Sequence, residues 1–450
     1  MSRFQQARSA VLSRDEMRRL VDRILGFSQA EACDVNVGSA LVGNSRFAAN
    51  QLTTSGFVDD ANVVVQSYFG ARHAVATTND LSEESLRRVV RQSETLARLA
   101  PEDPEVMPPL PAQRFDAVDA WFEDTAGLAP EARVRAALQP LQEARRSGDL
   151  RAAGFITTAA SSGALANKAG LFAFHRNTSC NYSLTVRTTD GTGSGWAASD
   201  NQSWSRVDVE GVGRRAVEKA RLSRNPEAVE PGRYTTILEP QAAADLLQLL
   251  AGYLDARRAD EGRSPFVKPE GGNRIGERIV DPRVTIFSDP RDPQLLGQPF
   301  DGQGLPLGRQ VWVENGVLRQ LFYSRFWAQR QSRTPTGGPT TLKMEGGDST
   351  LERMIASTER GVLLTHLFYL REVDPRTAVY TGLTRDGTFL IENGRISRSI
   401  RNFRFNESPL QMLNDLEAIG ECVRIGAGGD IAVPPLKVRD FNFTSLSDAV

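Results

Sequence analysis

The sequence predicts an α+β fold, with antiparallel strands and flanking helices in the N-terminal part and a strand-rich C-terminal part. Long runs of alternating small, polar and apolar residues, broken by glycines, indicate antiparallel strands. Two Asn-Gly pairs between apolar runs, in "RQVWVENGVLRQLFYS" and "GTFLIENGRISRSIRNFRF", predict β-hairpins. No regular alternation of strands and helices persists, which argues against a parallel α/β sheet.

The N-terminal half is predicted to run from a helix through strands to further helices. Residues 14–32 have an amphipathic pattern, and two strand-like runs are joined through Gly70. Ser82 is predicted to cap the next helix. Residues 101–115 are proline-rich and acidic, as is typical of a linker or a surface connection. Further helices are predicted over 130–147 and 208–225, on either side of an antiparallel meander.

The C-terminal half is predicted to be mostly strands with one or two helices. "RYTTILEP" and "RVTIFSDP" have strand patterns, and "LLQLLAGYLDARRADEGRSPF" (246–266) between them begins as an amphipathic helix and ends in a turn. Helical spacing recurs at Leu246, Leu249, Leu250, Tyr253 and Leu254.

The length of 450 residues is enough for two or three domains of roughly 100–200 residues each. We predict an N-terminal α+β domain over residues 1–228, with a sub-boundary near 101–115, and a C-terminal β-rich domain over 229–450.

The composition excludes several classes of partner. The chain has 54 Lys+Arg and 55 Asp+Glu, so its net charge of -1 offers no electrostatic reason to bind nucleic acid or an anionic membrane. No run approaches the ~18 apolar residues of a membrane-spanning helix, and the start of the sequence has no apolar signal core. Cys33, Cys180 and Cys422 are far apart, which suggests neither a disulfide framework nor a zinc knuckle. We therefore expect a cytoplasmic protein.

The histidines and cysteines do not form an obvious catalytic motif. His73, His175 and His366 each lie in a strand-like segment without a second ligand two to five residues away. Hydrogen-bonded structural histidines are favoured, with a zinc site built from three distant strands as the alternative. His175 and Cys180 would lie on opposite faces of a continuous strand, roughly 17 Å apart, which argues against a thiol protease. The glycine-rich stretches "GTGSG" and "GAGGD" match neither a phosphate loop nor a dinucleotide site, so no cofactor is predicted for them.

The stretch "MEGGDSTLERMIASTERG" (344–361) predicts a capped helix. Asp348 or Ser349 would cap a helix that starts near Thr350, and Gly361 would end it. Two glycines before a helix N-terminus leave backbone N–H groups free to bind a carboxylate or a peptide carbonyl, although a capped surface helix explains the same pattern. The candidate contacts to a peptide or a partner are Gly346, Gly347, Asp348 and Ser349.

Residues 341–400 resemble the TldD/PmbA family, which is related to metallopeptidases and also carries the description "modulator of DNA gyrase". The resemblance rests on "GGDSTLERMIASTERGVLLT" and continues upstream in "RFAANQLTTSGFVDD", "ANKAGLFAFHRNTSC", "PGRYTTILEPQA" and "PFDGQGLP", in the order typical of the family. It spans about residues 30–440, so the chain is identified as a member. The charge balance gives no support to the link with DNA gyrase.

The resemblance also implies where a zinc site would lie. In active subunits of the family, the helix after the "LEPQA" strand carries His-Glu-x-x-x-His, whose histidines bind zinc and whose glutamate acts as general base. A C-terminal cysteine is the third protein ligand. The alignment places these four positions at Gln248, Leu249, Tyr253 and, near the C-terminus, Gly426, with Cys422 four residues too early. The resemblance thus implies a degenerate motif helix and no metal in this chain.

The function implied by the resemblance is that of a non-catalytic, TldE/PmbA-like subunit. Such a subunit pairs with a zinc-bearing TldD-like subunit, and the complex degrades or processes small or unfolded peptides. This chain would help to hold an extended peptide, by adding it as a strand to a sheet edge. Two alternatives remain open: a homodimer that binds peptides or acts as a scaffold, and a metallopeptidase with a rebuilt site.

Overall fold

The computed structural model describes residues 11–427 and 429–447, and it confirms the predicted α+β class. The strands in these residues form three sheets. The first sheet is made by residues 32–201 and the other two by residues 233–446. The proposed domain boundaries stay predictions.

The first sheet is fully antiparallel and has the order β3-β2-β1-β4-β5-β6. Its four central strands are each 17 or more residues long, and buried side chains alternate with less buried ones along most of β1, β4 and β5. The strands are β1 (Ala32–Ala48), β2 (Gln51–Phe69), β3 (Arg72–Thr78), β4 (Leu150–Asn167), β5 (Phe172–Thr188) and β6 (Ser194–Asn201).

The second sheet consists of short strands in the order β10-β9-β8-β11-β18-β17. Only the β11–β18 pair in this sheet is parallel, among the residues described. The strands are β8 (Ile286–Ser288), β9 (Gln310–Glu314), β10 (Val317–Leu318), β11 (Leu342–Met344), β17 (Val423–Arg424) and β18 (Ile431–Val433).

The third sheet closes on itself, because β12 pairs with both β7 and β13. The closed ring runs β12-β7-β19-β15-β13 and back to β12, with β14 on β13 and β16 on β19. The strands are β7 (Arg233–Leu238), β12 (Arg360–Asp374), β13 (Val379–Glu392), β14 (Arg395–Ser399), β15 (Phe403–Glu407), β16 (Leu416–Ile419) and β19 (Leu436–Leu446).

The helices bury apolar faces against these sheets. α1 and α2 form one core with β1–β3, α4 and α5 form a second core with β4–β6, and α6 lies in the largest core, in the C-terminal half. The helices are α1 (Arg14–Phe27), α2 (Glu83–Leu99), α3 (Glu123–Ala126), α4 (Pro130–Ser147), α5 (Val209–Leu222), α6 (Pro240–Ala251), α7 (Ala256–Asp260), α8 (Arg325–Arg330), α9 (Leu351–Ala356) and α10 (Pro409–Asn414).

The two predicted Asn-Gly hairpins and the predicted Ser82 cap are confirmed. Both Asn-Gly hairpins form, and in the first of them Asn315 and Gly316 have φ angles of 49° and 78°, as a type I′ turn requires. The side chain of Ser82 accepts a hydrogen bond from the backbone N–H of Ser85 at the start of α2. The first predicted helix ends at Phe27, five residues earlier than expected.

None of the helices in residues 11–427 and 429–447 has both the length and the apolar character that crossing a bilayer requires.

Candidate functional site

Three of the four positions where the resemblance places zinc-site residues lie in or next to helix α6. Gln248 and Leu249 are in the helix, and Tyr253 follows its end. Pro240 occupies its first turn, where a missing N–H costs nothing, and Leu246, Leu247 and Leu250 are buried in the largest core. The helix ends at Ala251, so the prediction that helical spacing continues through Tyr253 and Leu254 is wrong. Both residues are nevertheless buried, because the chain turns back into the same core.

One face of α6 is polar and binds neighbouring segments. Gln241, Asp245 and Gln248 lie at i, i+4 and i+7, which places them on the same side of the helix. The Gln241 amide donates to the Ala427 carbonyl at 2.9 Å and accepts from the Ala427 N–H at 3.1 Å. Asp245 accepts from Gln241 at 2.9 Å and from the backbone N–H of Leu367 in β12 at 2.8 Å. This face therefore attaches the C-terminal loop and β12 to the helix.

Sequence reasoning missed Asp245, although a signal was present. It is the only charged residue in the run "AAADLLQLLA", and an acid in a helix that is apolar on several sides must be buried or paired. Burial raises the pKa of the Asp245 carboxyl to about 6, while the hydrogen bonds from Leu367 and Gln241 act in the opposite direction.

Gln248 and Leu249, the first two motif positions, are half-buried. Leu249 packs against the largest core and has no group that can accept a proton. Gln248 offers an amide, which is a poor ligand for zinc compared with imidazole or thiolate. Neither side chain can replace the histidine or the glutamate of an active motif.

Tyr253, the third motif position, is fully buried and its hydroxyl is already used. It donates a hydrogen bond to Glu372 Oε2 at 2.6 Å and accepts one from the Tyr380 hydroxyl at 3.2 Å. The guanidinium of Arg258 lies 4.7 Å from the centre of the Tyr253 ring and 3.6 Å from Glu372. Burial, followed by the hydrogen bond to Glu372, raises the pKa of the phenol far above its usual value. Tyr253 therefore acts as a neutral hydrogen-bond donor.

Gly426, the fourth motif position, lies against the first sheet. Its carbonyl accepts a hydrogen bond from the Asn181 side chain at 2.8 Å. A Cβ atom at this position would lie 2.5 Å from the carbonyl carbon and oxygen of Ala198 in β6. Cys422, four residues earlier, is half-buried, and burial raises the pKa of its thiol to about 11. The side chain that a third zinc ligand requires thus has no space at residue 426.

These residues do not fit a zinc ion. Zinc in proteins takes three or four nitrogen, sulfur or oxygen ligands from His, Cys, Asp or Glu. Within residues 11–427 and 429–447, no three such side chains come together in a group that could hold a metal. The motif positions themselves supply an amide, an alkyl group, a hydrogen-bonded phenol and a hydrogen atom.

The three histidines lie apart from one another. His73 contacts Gln66 and Asp103, each at 3.0 Å. The ring of His366 lies 4.8 Å from Trp196, and its Nε2 atom is 3.7 Å from Asp386. Burial lowers the pKa of both His366 and His175 to about 4, so both rings are neutral at physiological pH.

His175 and Cys180 are separated along β5, which is a continuous strand from Phe172 to Thr188. The sulfur of Cys180 lies 3.2 Å from Thr125 Oγ1, and burial raises the pKa of the thiol. Neither partner has the environment of a catalytic thiolate–imidazole pair.

The 344–361 stretch differs from its prediction in three ways. The helix α9 is capped by Thr350, not by Asp348 or Ser349. It ends at Ala356, and Gly361 lies within β12.

The third difference concerns the backbone N–H groups expected to be free. The N–H of Gly347 donates to the Gly420 carbonyl at 2.7 Å, and that of Ser349 donates to the Ile419 carbonyl at 3.2 Å. Gly346 approaches the backbone of Cys422 so closely that a Cβ would lie 2.5 Å from its nitrogen. The glycines thus allow the two backbone segments to pack closely against each other.

An open cavity of about 400 Å³ still exists beside this stretch. It is lined by Gly347, Asp348 and Ser349 together with Pro240 at the start of α6. The role of Gly346, Gly347, Asp348 and Ser349 as contacts to a peptide or a partner stays a prediction.

Asp245→Asn is expected to reduce the pH dependence of stability in the acid range. The pKa of about 6 in the folded state lies above the ordinary value of 3.8. The contribution of this carboxyl to stability is therefore fully present below about pH 4 and is lost as the pH rises through about 6. The variant has no proton to lose, so its melting temperature should fall less between these pH values. Asp15→Asn, at an exposed position in α1, is the control, and parallel curves for wild type and Asp245→Asn would contradict the expectation.

Comparison with known proteins places the chain in a family. Residues 231–445 match the model of the PmbA/TldA metallopeptidase C-terminal domain, and residues 122–224 match that of the PmbA/TldA metallopeptidase central domain. Together these matches cover more than two-thirds of the chain. The chain belongs to the PmbA/TldD family. The resemblance inferred from sequence motifs is thereby confirmed.

Relatives within the PmbA/TldD family are distant in sequence. The metalloprotease PmbA of Escherichia coli is 21% identical over 417 residues, which are 85% of this chain and 86% of that protein. A metalloprotease of Methanothermobacter thermautotrophicus is 26% identical over 243 residues, 50% of each chain. The chain spans half or less of the length of the first curated relatives it matches.

A solved structure of a PmbA/TldD protein has the same fold. TldE from Thermococcus kodakarensis superimposes with a TM-score of 0.86 at 18% identity, and the match covers 95% of this chain and 99% of that one.

Proposed function

We propose that this chain is a non-catalytic subunit of a zinc peptidase, which pairs with a zinc-bearing TldD-like subunit in the cytoplasm. The observation that carries the proposal is the state of the four motif positions: Gln248, Leu249, Tyr253 and Gly426 supply no strong zinc ligand and no base. In this proposal the zinc ion and the general base belong to the partner subunit, and the complex acts on small or unfolded peptides.

Position 253 supports the proposal beyond the absence of a ligand. A histidine there would have to replace a phenol that is fully buried and hydrogen-bonded to Glu372 and Tyr380. The buried network stabilises the turn after α6 and uses the space in which an active subunit needs an imidazole. The residues around the motif therefore support packing, not catalysis.

The role that we propose for this chain is to hold an extended peptide along β12. β7 pairs with β12 only from Gly361 to Leu364, and in the described part of the chain no other strand pairs with β12 on that side. The strand continues to Asp374 along β13, and beyond Leu367, whose backbone N–H is bound by Asp245 of the motif helix, this edge has no strand partner in the described residues. An open edge can bind an extended chain through main-chain hydrogen bonds.

Side chains near this edge are suited to a peptide. Phe368, Tyr369 and Val373 are 44%, 56% and 55% exposed, which is unusual for three large apolar residues in one strand. Arg385 covers the Phe368 ring at 4.1 Å, and Arg371 covers the Tyr369 ring at 4.5 Å. Apolar contacts and nearby guanidinium groups would favour peptides with apolar and acidic residues.

Co-expression with a His-Glu-x-x-x-His relative tests the proposal. We expect one stable complex on a sizing column, zinc at about one ion per partner subunit, and hydrolysis of unfolded peptides only by the complex. A partner with glutamine in place of its motif glutamate is the matched control, because it should form the same complex without activity.

Three outcomes would contradict the proposal. Persistent separation of the two chains would favour the homodimeric peptide-binding or scaffold protein. Near-stoichiometric zinc in the chain purified alone would favour a metallopeptidase with a rebuilt site. Equal peptide hydrolysis by the partner alone would remove the need for this subunit.

A further inference from the structure

A polar cavity of about 430 Å³ lies on the face of the first sheet opposite to α1 and α2. Strands β1 and β2 form its floor, and the 103–110 segment and the start of α8 form its walls. Asp34, Tyr68, Asn167 and Arg325 supply polar groups, while Leu110 and Phe326 supply apolar surface. Its volume is within the range of pockets that bind small molecules.

Most charged groups at this cavity are already paired. Asp103 contacts His73 at 3.0 Å. Glu105 accepts two hydrogen bonds from the guanidinium of Arg257, both at 2.8 Å. The remaining charges are those of Asp34 and Arg325.

Asp34 accepts hydrogen bonds but forms no direct ion pair with a cation within the part of the chain that the structure describes. The Tyr68 hydroxyl donates to its Oδ2 atom at 2.8 Å. No Lys, Arg or His nitrogen of the described residues forms an ion pair with it. Burial raises the pKa of the carboxyl, while the hydrogen bonds from Tyr68 and Asn167 and the charge of Arg325 act in the opposite direction.

Arg325 has the complementary arrangement. Its guanidinium donates to the Pro108 carbonyl, and no carboxylate of the described residues forms an ion pair with it. Burial lowers the pKa of the guanidinium, and the charge of Asp34 acts in the opposite direction. The two opposite charges thus lie near one another on the same cavity without direct contact.

Two partly buried, opposite and separated charges are costly unless something placed between them compensates both. We propose that this cavity binds a small zwitterion, a free α-amino acid or a dipeptide, with its ammonium group at Asp34 and its carboxylate at Arg325. The Tyr68 hydroxyl adds a polar contact, and Leu110 and Phe326 contact the ligand side chain. A guanidinium suits the carboxylate because it can donate two parallel hydrogen bonds.

The site is independent of the proposed subunit role. Its lining includes none of the motif positions at residues 248, 249, 253 and 426. Failure of the zwitterion proposal would leave the subunit proposal untouched, and the reverse also holds.

Calorimetric titration of the full chain with blocked and unblocked ligands tests the site. Alanine and alanyl-alanine should bind, and their relative affinities distinguish an amino-acid site from a dipeptide site. N-acetylalanine lacks the ammonium group and alaninamide lacks the carboxylate, so each should bind about 10-fold or more weakly than alanine. The same comparison applies to alanyl-alanine if the dipeptide is preferred. No binding of either zwitterion at millimolar concentration, or equal binding of blocked and unblocked forms, would overturn the proposal.

Variants assign each charge to one end of the ligand. Asp34→Asn should weaken zwitterion binding by about 10-fold or more and leave N-acetylalanine unaffected, and Arg325→Gln should do the same with alaninamide as the unaffected ligand. Arg330→Gln removes an exposed charge from the same helix and should change nothing. Equal affinities of wild type and both cavity variants would contradict the assignment. If a variant does not fold, the titrations of the wild-type chain still decide whether the site exists.

Discussion

Gly426→Cys is expected to destabilise the chain and to leave it without bound zinc, although cysteine is the residue that the resemblance places there in active subunits. A Cβ atom would lie 2.5 Å from the backbone carbon and oxygen of Ala198, far inside contact distance. The loop cannot shift freely, because Asn181 binds the Gly426 carbonyl and Gln241 binds both backbone groups of Ala427. Overpacking against backbone costs about 1–3 kcal/mol and sometimes more.

Thermal unfolding together with metal analysis measures both parts of this expectation. Gly302→Ala is the matched control, because a Cβ there has no atom within 4 Å and the residue has no positive φ angle. Its melting temperature should equal that of the wild type, whereas the Gly426→Cys variant should melt several degrees lower. A cysteine variant with wild-type stability, or with one tightly bound zinc ion, would disprove the steric argument.

The reason for this expectation is that the motif positions lack ligand side chains and that other parts of the protein occupy the space around them. The resemblance predicted which residues stand in place of the zinc ligands, because aligning the family motif with this chain needs only the order of residues in the sequence. The contact between Gly426 and Ala198 joins β6 to a loop more than 200 residues later, and no local pattern predicts it. The hydrogen bond from Tyr253 to Glu372 is equally long-range.

Local features of the fold were predictable because short-range chemistry determines them. The Asn393–Gly394 turn forms as expected, with φ angles of 52° and 73°. Ser82 caps α2, and the meander after α4 is antiparallel throughout. In each case neighbouring residues alone supply the preference, through positive φ, side-chain capping or period-two alternation.

Features that depend on distant partners were not predictable. The third sheet closes because β12 pairs in parallel with β7 and antiparallel with β13, and the sequence carries no marker for that closure. Helix α9 ends early because the N–H of Asn393 binds Glu359 and that of Gly394 binds Thr358, which directs the chain into β12. Gly361 was predicted to end the helix. Instead, because it has no side chain, it packs closely against Thr235 in β7.

Arg133→Met is expected to raise the stability of the chain by about 1–4 kcal/mol, a gain of the size seen when well-packed apolar residues replace a buried ion pair. Arg133 is only 2% exposed, although it lies in α4, whose sequence is rich in charged residues. Its Nη1 atom donates to Thr158 Oγ1 at 3.1 Å, while Nε and Nη2 have no partner among the described residues. Burial lowers the pKa of the guanidinium, which reflects the cost of holding the charge there. Methionine keeps an unbranched, flexible chain of similar reach without that cost.

The measurement is thermal or urea unfolding of Arg133→Met beside Arg135→Met, which removes an exposed charge two residues away on the same helix and should be nearly neutral. A second variant tests whether the guanidinium also explains Gly43 in β1, where a Cβ would lie 2.3 Å from Arg133 Nη1. Gly43→Ala should destabilise the wild type, because the buried guanidinium has little room to move. In the Arg133→Met background the same change should cost less, with a coupling of about 0.5–3 kcal/mol. Additive effects of the two changes, or lower stability of Arg133→Met than of Arg135→Met, would show that the protein compensates the buried charge in another way.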